Sequence, residues 1–150
     1  MEHLLANELR SLGVHRKSSS GRALLWAAEL GYIKDLQCEM EECLYPEELG
    51  GRRYFETMSR PLPDWIPTAD HWPILKKDGG RLVAGNVRLA HRLCNRVGYT
   101  EAFNIPNARD RAKAEALREE AAVRAGTHVE GAVSPREAAQ SRTHLPTRRP

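Results

Sequence analysis

The sequence predicts a small α+β fold stapled by a metal ion and flanked by helices. Three observations predict it. The three cysteines, Cys38, Cys43 and Cys94, are completed by His91 into the set Cys38-x4-Cys43 followed far downstream by His91-x2-Cys94; three thiolates and one imidazole suit a structural Zn²⁺ that closes its shell with protein atoms alone. Two short stretches of strand character, 68–72 and 86–91, enclose a glycine-containing loop. Helix-forming segments with stop signals stand on either side.

Residues 1–13 read as a short amphipathic helix ended by Gly13. A polar linker with three consecutive serines follows over 16–21, and Ser20 offers an N-cap for a helix through about Leu30. Leu24, Leu25, Trp26 and Ala28 give that helix apolar surface, and Gly31 offers its C-cap. From Leu44 to Pro67 the many Pro, Gly and aromatic residues favour irregular structure, with an extended connector at 61–67. Thr68 to Trp72 reads as a strand with Asp70 and His71 on opposite faces. Residues 73–85, with Asp78-Gly79-Gly80, form a loop, and Asn86 to His91 alternate as a second strand. A helix begins near Arg92, stops before Pro106, and carries Cys94 and Asn95 in its first turn. Residues 107–125, rich in Ala, Arg and Glu, predict an exposed helix, and 126–150 a disordered basic tail. The layout is thus an N-terminal helical segment over 1–31, a metal-stapled core over 32–106, then the exposed helix and the tail.

At 150 residues there is room for one domain, and two phenylalanines and three tryptophans imply a small core, for which a zinc staple is the usual remedy. No apolar run is long enough to cross a bilayer, and Met1-Glu2-His3 opens no secretory leader. The expectation is an intracellular, cytoplasmic setting, bacterial or phage-like, in which thiols bind metal rather than pair. Net charge is only +3, but it is unevenly spread. Residues 35–56 hold seven acidic and two basic side chains, whereas 76–99 hold six basic ones (Lys76, Lys77, Arg81, Arg88, Arg92, Arg96) against Asp78 alone. A basic cluster around catalytic residue types suits a polyanion, because phosphate neutralisation supplies most non-specific nucleic-acid affinity.

The stretch ADHWPILKKDGGRLVAGNVRLAHRLCNRVGY, Ala69 to Tyr99, resembles the HNH endonucleases, the zinc-bearing branch of the ββα-metal or His-Me finger nucleases. What carries the resemblance is the order Asp-His, glycine loop, Asn, then a ligand-x2-Cys-Asn close. The resemblance implies a ββα-metal core that hydrolyses DNA phosphodiester bonds. It assigns His71 as the general base, Asp70 and Asn95 as ligands of a catalytic Mg²⁺ or Mn²⁺, and Asn86 as the brace of the loop that orients the base. The six basic residues of 76–99 are the candidate DNA contacts. The chemistry agrees with these residue types: phosphodiester hydrolysis needs a base for the attacking water and a cation for the developing charge, and carboxylate and amide oxygens suit a hard cation. The chain departs from the family pattern in spacing its first cysteines x4 rather than x2, in placing Pro73 and Gly79-Gly80 about one residue away, and in having Asn95 where a final His is common.

Alternatives remain at several positions. His91 could bind the catalytic metal instead of zinc, Asn95 could cap its helix, and Asn86 could close a turn after Gly85. Trp65 and Trp72 suit either the core or base stacking. The rival function is a zinc-knuckle nucleic-acid-binding module without cleavage. A third, a structural zinc protein mediating protein contacts, leaves the basic cluster unexplained. Convergence of Asp70, His71 and Asn95 on one open site separates the first two.

Overall fold

Leu9 on the first helix and Leu24 and Leu25 on the second are buried to within a few per cent, each contributing about 1.5–3 kcal/mol by leaving water. Their contact sets the N-terminal half of the molecule. The computed structural model describes residues 2–45, 53–55 and 63–130, which form helices α1 (Glu2–Ser11), α2 (Ser19–Glu29), α3 (Arg92–Ala102) and α4 (Ala108–Glu130), and strands β1 (Pro67–Asp70) and β2 (Arg88–His91). The class is mixed α+β. Among the described residues no helix is long and apolar enough to cross a membrane.

Helix α2 starts earlier than its sequence suggests. The cap is Ser18, not Ser20: its backbone is extended and its Oγ accepts from the Gly21 N–H at 3.0 Å. Position 21 decides this, because a Cβ there would stand 2.0 Å from the His15 carbonyl oxygen. Only glycine lets residues 15–18 fold against the first turn. The exit follows expectation. Gly31 takes φ 76° while the Gly31 and Tyr32 N–H groups return to Ala28 and Ala27, closing the last carbonyls. Trp26, in contrast, is 58% exposed and gives the core nothing.

The two strands pair antiparallel in the register Pro67↔His91, Thr68↔Ala90, Ala69↔Leu89 and Asp70↔Arg88. Both are shorter than their patterns suggest. Strand β1 stops at Asp70 because the Asp70 carboxylate takes the His71 N–H at 2.9 Å, so His71 lies beyond the strand rather than on its opposite face. Asn86 is committed to the preceding loop, and β2 starts at Arg88. Helix α3 follows β2 without a linker, its Arg92 N–H reaching the Ile66 carbonyl at 3.0 Å.

One apolar cluster runs from Ala6 on α1 through Leu24, Ile33, Leu89 and Leu93 to Ala114 on α4, so the N-terminal helices share the core of the sheet and α3. Helix α4 is mostly exposed and continues through Glu130, five residues into the segment 126–130 expected to be tail. The remainder of that tail, 131–150, and the connector stretches 46–52 and 56–62 lie outside the described residues.

Candidate metal centre and adjoining cavity

Cys38 and Cys43 sit on a turn that the chain fastens from two sides. Across one side, Cys38 N–H donates to the Arg53 carbonyl at 2.9 Å, and the Arg53 guanidinium returns bonds to the carbonyls of Cys38 and Met40. Across the other, Glu39 N–H donates to the Leu89 carbonyl, and the Leu89 N–H donates to the Glu39 carboxylate at 2.6 Å. His91 is the last residue of β2 and Cys94 lies in the first turn of α3. A strand running straight into a helix therefore delivers the second ligand pair.

All four side chains are buried, and their ligand atoms lie within 4.8 Å of one another. The imidazole turns Nδ1 to the thiols, 3.7 Å from Cys43 Sγ and 3.8 Å from Cys94 Sγ. A tetrahedral zinc with bonds of about 2.3 Å to sulfur and about 2.0 Å to nitrogen sets nitrogen–sulfur edges at roughly 3.5 Å and sulfur–sulfur edges at roughly 3.8 Å, so the donor set is close enough to hold a metal such as zinc. Backbone N–H groups of Leu44 and Tyr45 point at Cys94 and Cys43 sulfurs at 3.5 and 3.4 Å, which favours thiolate. Hydrogen bonds from the Cys43 and Cys94 thiols hold Cys38 well below the usual thiol range. Cys43, facing that thiolate, is pushed up to about 11, and Cys94 is raised for the same reason. Three sulfurs and an imidazole nitrogen turned toward one another are what a dication would complete, by displacing the thiol protons. Around His91 stand Phe55 and Tyr45, with ring centroids at 4.5 and 5.0 Å, and Trp65 at 6.5 Å. Burial lifts the Tyr45 phenol to about 12, and His91 Nε2 is buried with no hydrogen-bond partner among the described residues.

On the far side of β1 lies an open cavity of about 300 Å³. Asp70, His71 and Asn95 all line it, together with Lys76, Lys77 and Arg88. Asn95 does not cap α3: the cap position is His91, and Asn95 Nδ2 donates to Thr68 Oγ1 and to the Ala69 carbonyl, both at 3.1 Å. The amide is thereby fixed against β1, and its Oδ1 makes no hydrogen bond among the described residues. Asp70 is more engaged. Oδ1 accepts the His71 N–H, and Oδ2 accepts Arg88 Nε at 2.7 Å from its cross-strand partner. The Arg88 guanidinium lies 4.4 Å from the Trp72 ring centroid, so Trp72, 43% exposed, is a surface platform rather than core.

Asn86 is buried and holds the loop between the strands. Its Oδ1 accepts the Ile74 N–H at 2.7 Å, and its Nδ2 donates to the carbonyls of Ile74 and Arg81 at 2.9 and 3.0 Å. Gly80 lies in the same closure, where a Cβ would stand 1.9 Å from the Ile74 carbonyl oxygen.

The basic residues divide. Lys76, Lys77 and Arg88 reach the cavity. Arg81 is exposed outside it, Arg92 borders a separate hollow beside Gly13 and Thr68, and Arg96 spans Asp64 and Asp110 at 3.3 and 2.9 Å. Sequence reasoning missed the aromatic part of the cavity lining, Tyr99 and Phe103. The signal was present: Asn95, Tyr99 and Phe103 recur every four positions, which sets Asn95 and Tyr99 on one face of α3 with Phe103 following at its C-cap. No model of a protein family, no curated protein and no solved structure matches this chain.

Proposed function

We propose that the protein is a metal-dependent endonuclease of the HNH type acting on DNA, with a structural zinc on Cys38, Cys43, His91 and Cys94. The observation that carries this reading is that Asp70, His71 and Asn95, from a strand end, the residue after it and the first turn of a helix, all line one open cavity rimmed by Lys76, Lys77 and Arg88. A strand, a loop braced by a buried Asn, a second antiparallel strand and an immediate helix support the ββα-metal comparison.

Asp70 and Asn95 fit a hard divalent cation. A carboxylate has about four acceptor sites, of which Asp70 uses two, and the Asn95 oxygen is unengaged. Mg²⁺ or Mn²⁺, when bound there, supplies positive charge for the phosphate and the leaving oxygen. His71 takes the proton from the attacking water. Asn86 keeps the loop after His71 in one conformation, and Lys76 and Lys77 draw the phosphate backbone into the cavity. Arg88, paired with Asp70 at 2.7 Å, adds a third positive charge to the lining of the cavity.

A DNA-binding module without cleavage is favoured by one specific contact. Arg88 already neutralises Asp70 within a pair only 14% and 18% exposed, leaving the carboxylate no need of a metal. Plasmid cleavage with Mg²⁺, Mn²⁺ or EDTA, run beside Asp70→Ala, separates the two. Metal-dependent nicking or linearisation that the variant abolishes supports the nuclease, whereas retention of DNA without cleavage under every condition supports the module.

A further inference from the structure

We infer that the cavity beside His71 receives an unpaired nucleobase, so that the preferred substrate is a nucleic acid with a single-stranded or extruded nucleotide next to the bond to be cut. This rests on the endonuclease reading above and names its substrate class.

The cavity has two chemically different walls. One comes from the end of β1 and the loop after it, His71, Lys76 and Lys77, and the other from α3 and its C-cap, where the Tyr99 and Phe103 rings stand with Asn95. A site for phosphate alone has no use for the second wall. In a chain with only two phenylalanines, one of them is withheld from the core: Tyr99 and Phe103 are each 39% exposed and rest on one another, centroids 4.6 Å apart with planes at 37°. Lys76 Nζ lies over the Tyr99 ring, 5.3 Å from its centre, so a base stacking on that face displaces the ammonium, which then meets the base's own phosphate. At about 300 Å³ the hollow accommodates about one nucleotide, and a base paired within a duplex cannot enter without leaving its stack. Every base offers a π-face, so the selection is for unpaired nucleotides rather than for a sequence.

The test is a fluorescence titration in buffer free of Mg²⁺ and Mn²⁺, in which binding is read without cutting. The probe is a short single-stranded DNA carrying a fluorescent adenine analogue whose emission falls on stacking; the same strand annealed to its complement is the comparison. The wild-type protein should quench the single strand and bind it more tightly than the duplex. Tyr99→Ala should weaken single-strand binding roughly tenfold, the usual worth of one stacked base, and Tyr99→Phe should restore it. Phe103→Leu, which keeps apolar bulk but removes the ring, should show the same loss and carries the test if Tyr99→Ala misfolds. Absence of quenching, or equal affinity of wild type, Tyr99→Ala and Phe103→Leu for the single strand, would overturn the inference and leave the aromatic wall to an apolar peptide partner. The two readings fail differently. Quenching without metal-dependent cutting removes the endonuclease and keeps the stacking site; cutting of paired and unpaired DNA at equal rates by wild type and Tyr99→Ala removes the stacking site and keeps the endonuclease.

Discussion

His71 and Asn95 divide the proposed chemistry between a base and a ligand, and each can be changed without touching the core. His71→Ala should leave folding and zinc content intact while DNA cleavage falls by two to four orders of magnitude, roughly the worth of general-base catalysis, measured by initial rates on a plasmid. Asn95→His is the sharper test. The imidazole is a stronger ligand for transition metals than an amide oxygen, so activity with Mn²⁺ should be kept or rise. The substitution also removes the Nδ2 bonds to Thr68 and Ala69, and thermal melting reads that loss separately. The sequence singled these residues out through its resemblance to the HNH pattern, and the structure gathers them with Asp70 at one cavity. The Asp70–Arg88 pair was not legible there, because it depends on the strand register, which no local pattern states.

The loop between β1 and β2 and the α3–α4 junction are held by side chains acting on backbone. Asn86→Ala removes three part-buried hydrogen bonds, to the Ile74 N–H and to the Ile74 and Arg81 carbonyls, and should cost about 1–3 kcal/mol in all, seen as a lower Tm and a cleavage loss exceeding any loss of DNA affinity. At the junction, Asn107 caps α4 through the Asp110 N–H at 3.2 Å, and Arg96 pairs with Asp110. Burial acts to raise the Asp110 pKa, but the hydrogen bond from Asn107 and the charge and hydrogen bond of Arg96 outweigh it and hold the carboxyl below its ordinary 3.8. A depressed folded value contributes stability that is complete above the unfolded value and lost as pH falls through the folded one. Acid titration by circular dichroism should therefore show this contribution disappearing only below about pH 3.8, and Arg96→Ala should remove part of it at neutral pH. The start and stop of α2 were readable from the serine run and Gly31. Which serine caps was not, since Gly21 packing on the His15 carbonyl decides it.

At the scale of the whole molecule, the tetrad joins a turn before the sheet to the strand and helix after it, and the core is otherwise built from small residues and a few leucines. With zinc in the cluster, its removal leaves four buried donors facing one another in an apolar setting, so a strong chelator should unfold the domain in one cooperative step, with metal analysis of the untreated protein finding close to one zinc per chain. A folded, metal-free chain with free thiols would contradict this. Cysteine count and spacing made the cluster of Cys38, Cys43, His91 and Cys94 visible in advance. They did not reveal that α1 and α2 share its core, because their apolar faces name no partner until α2 packs on β1.

The four candidate ligands come as two local pairs far apart along the chain, and with a metal in the centre that separation should govern how fast the molecule assembles. Each pair can chelate an ion by itself while the intervening segment is still unfolded, and only loop closure brings both pairs to a common ion. Refolding with one equivalent of zinc should then be limited by that closure. A large excess should slow it, because each pair arrives already carrying its own ion and one of the two must dissociate before the centre can form.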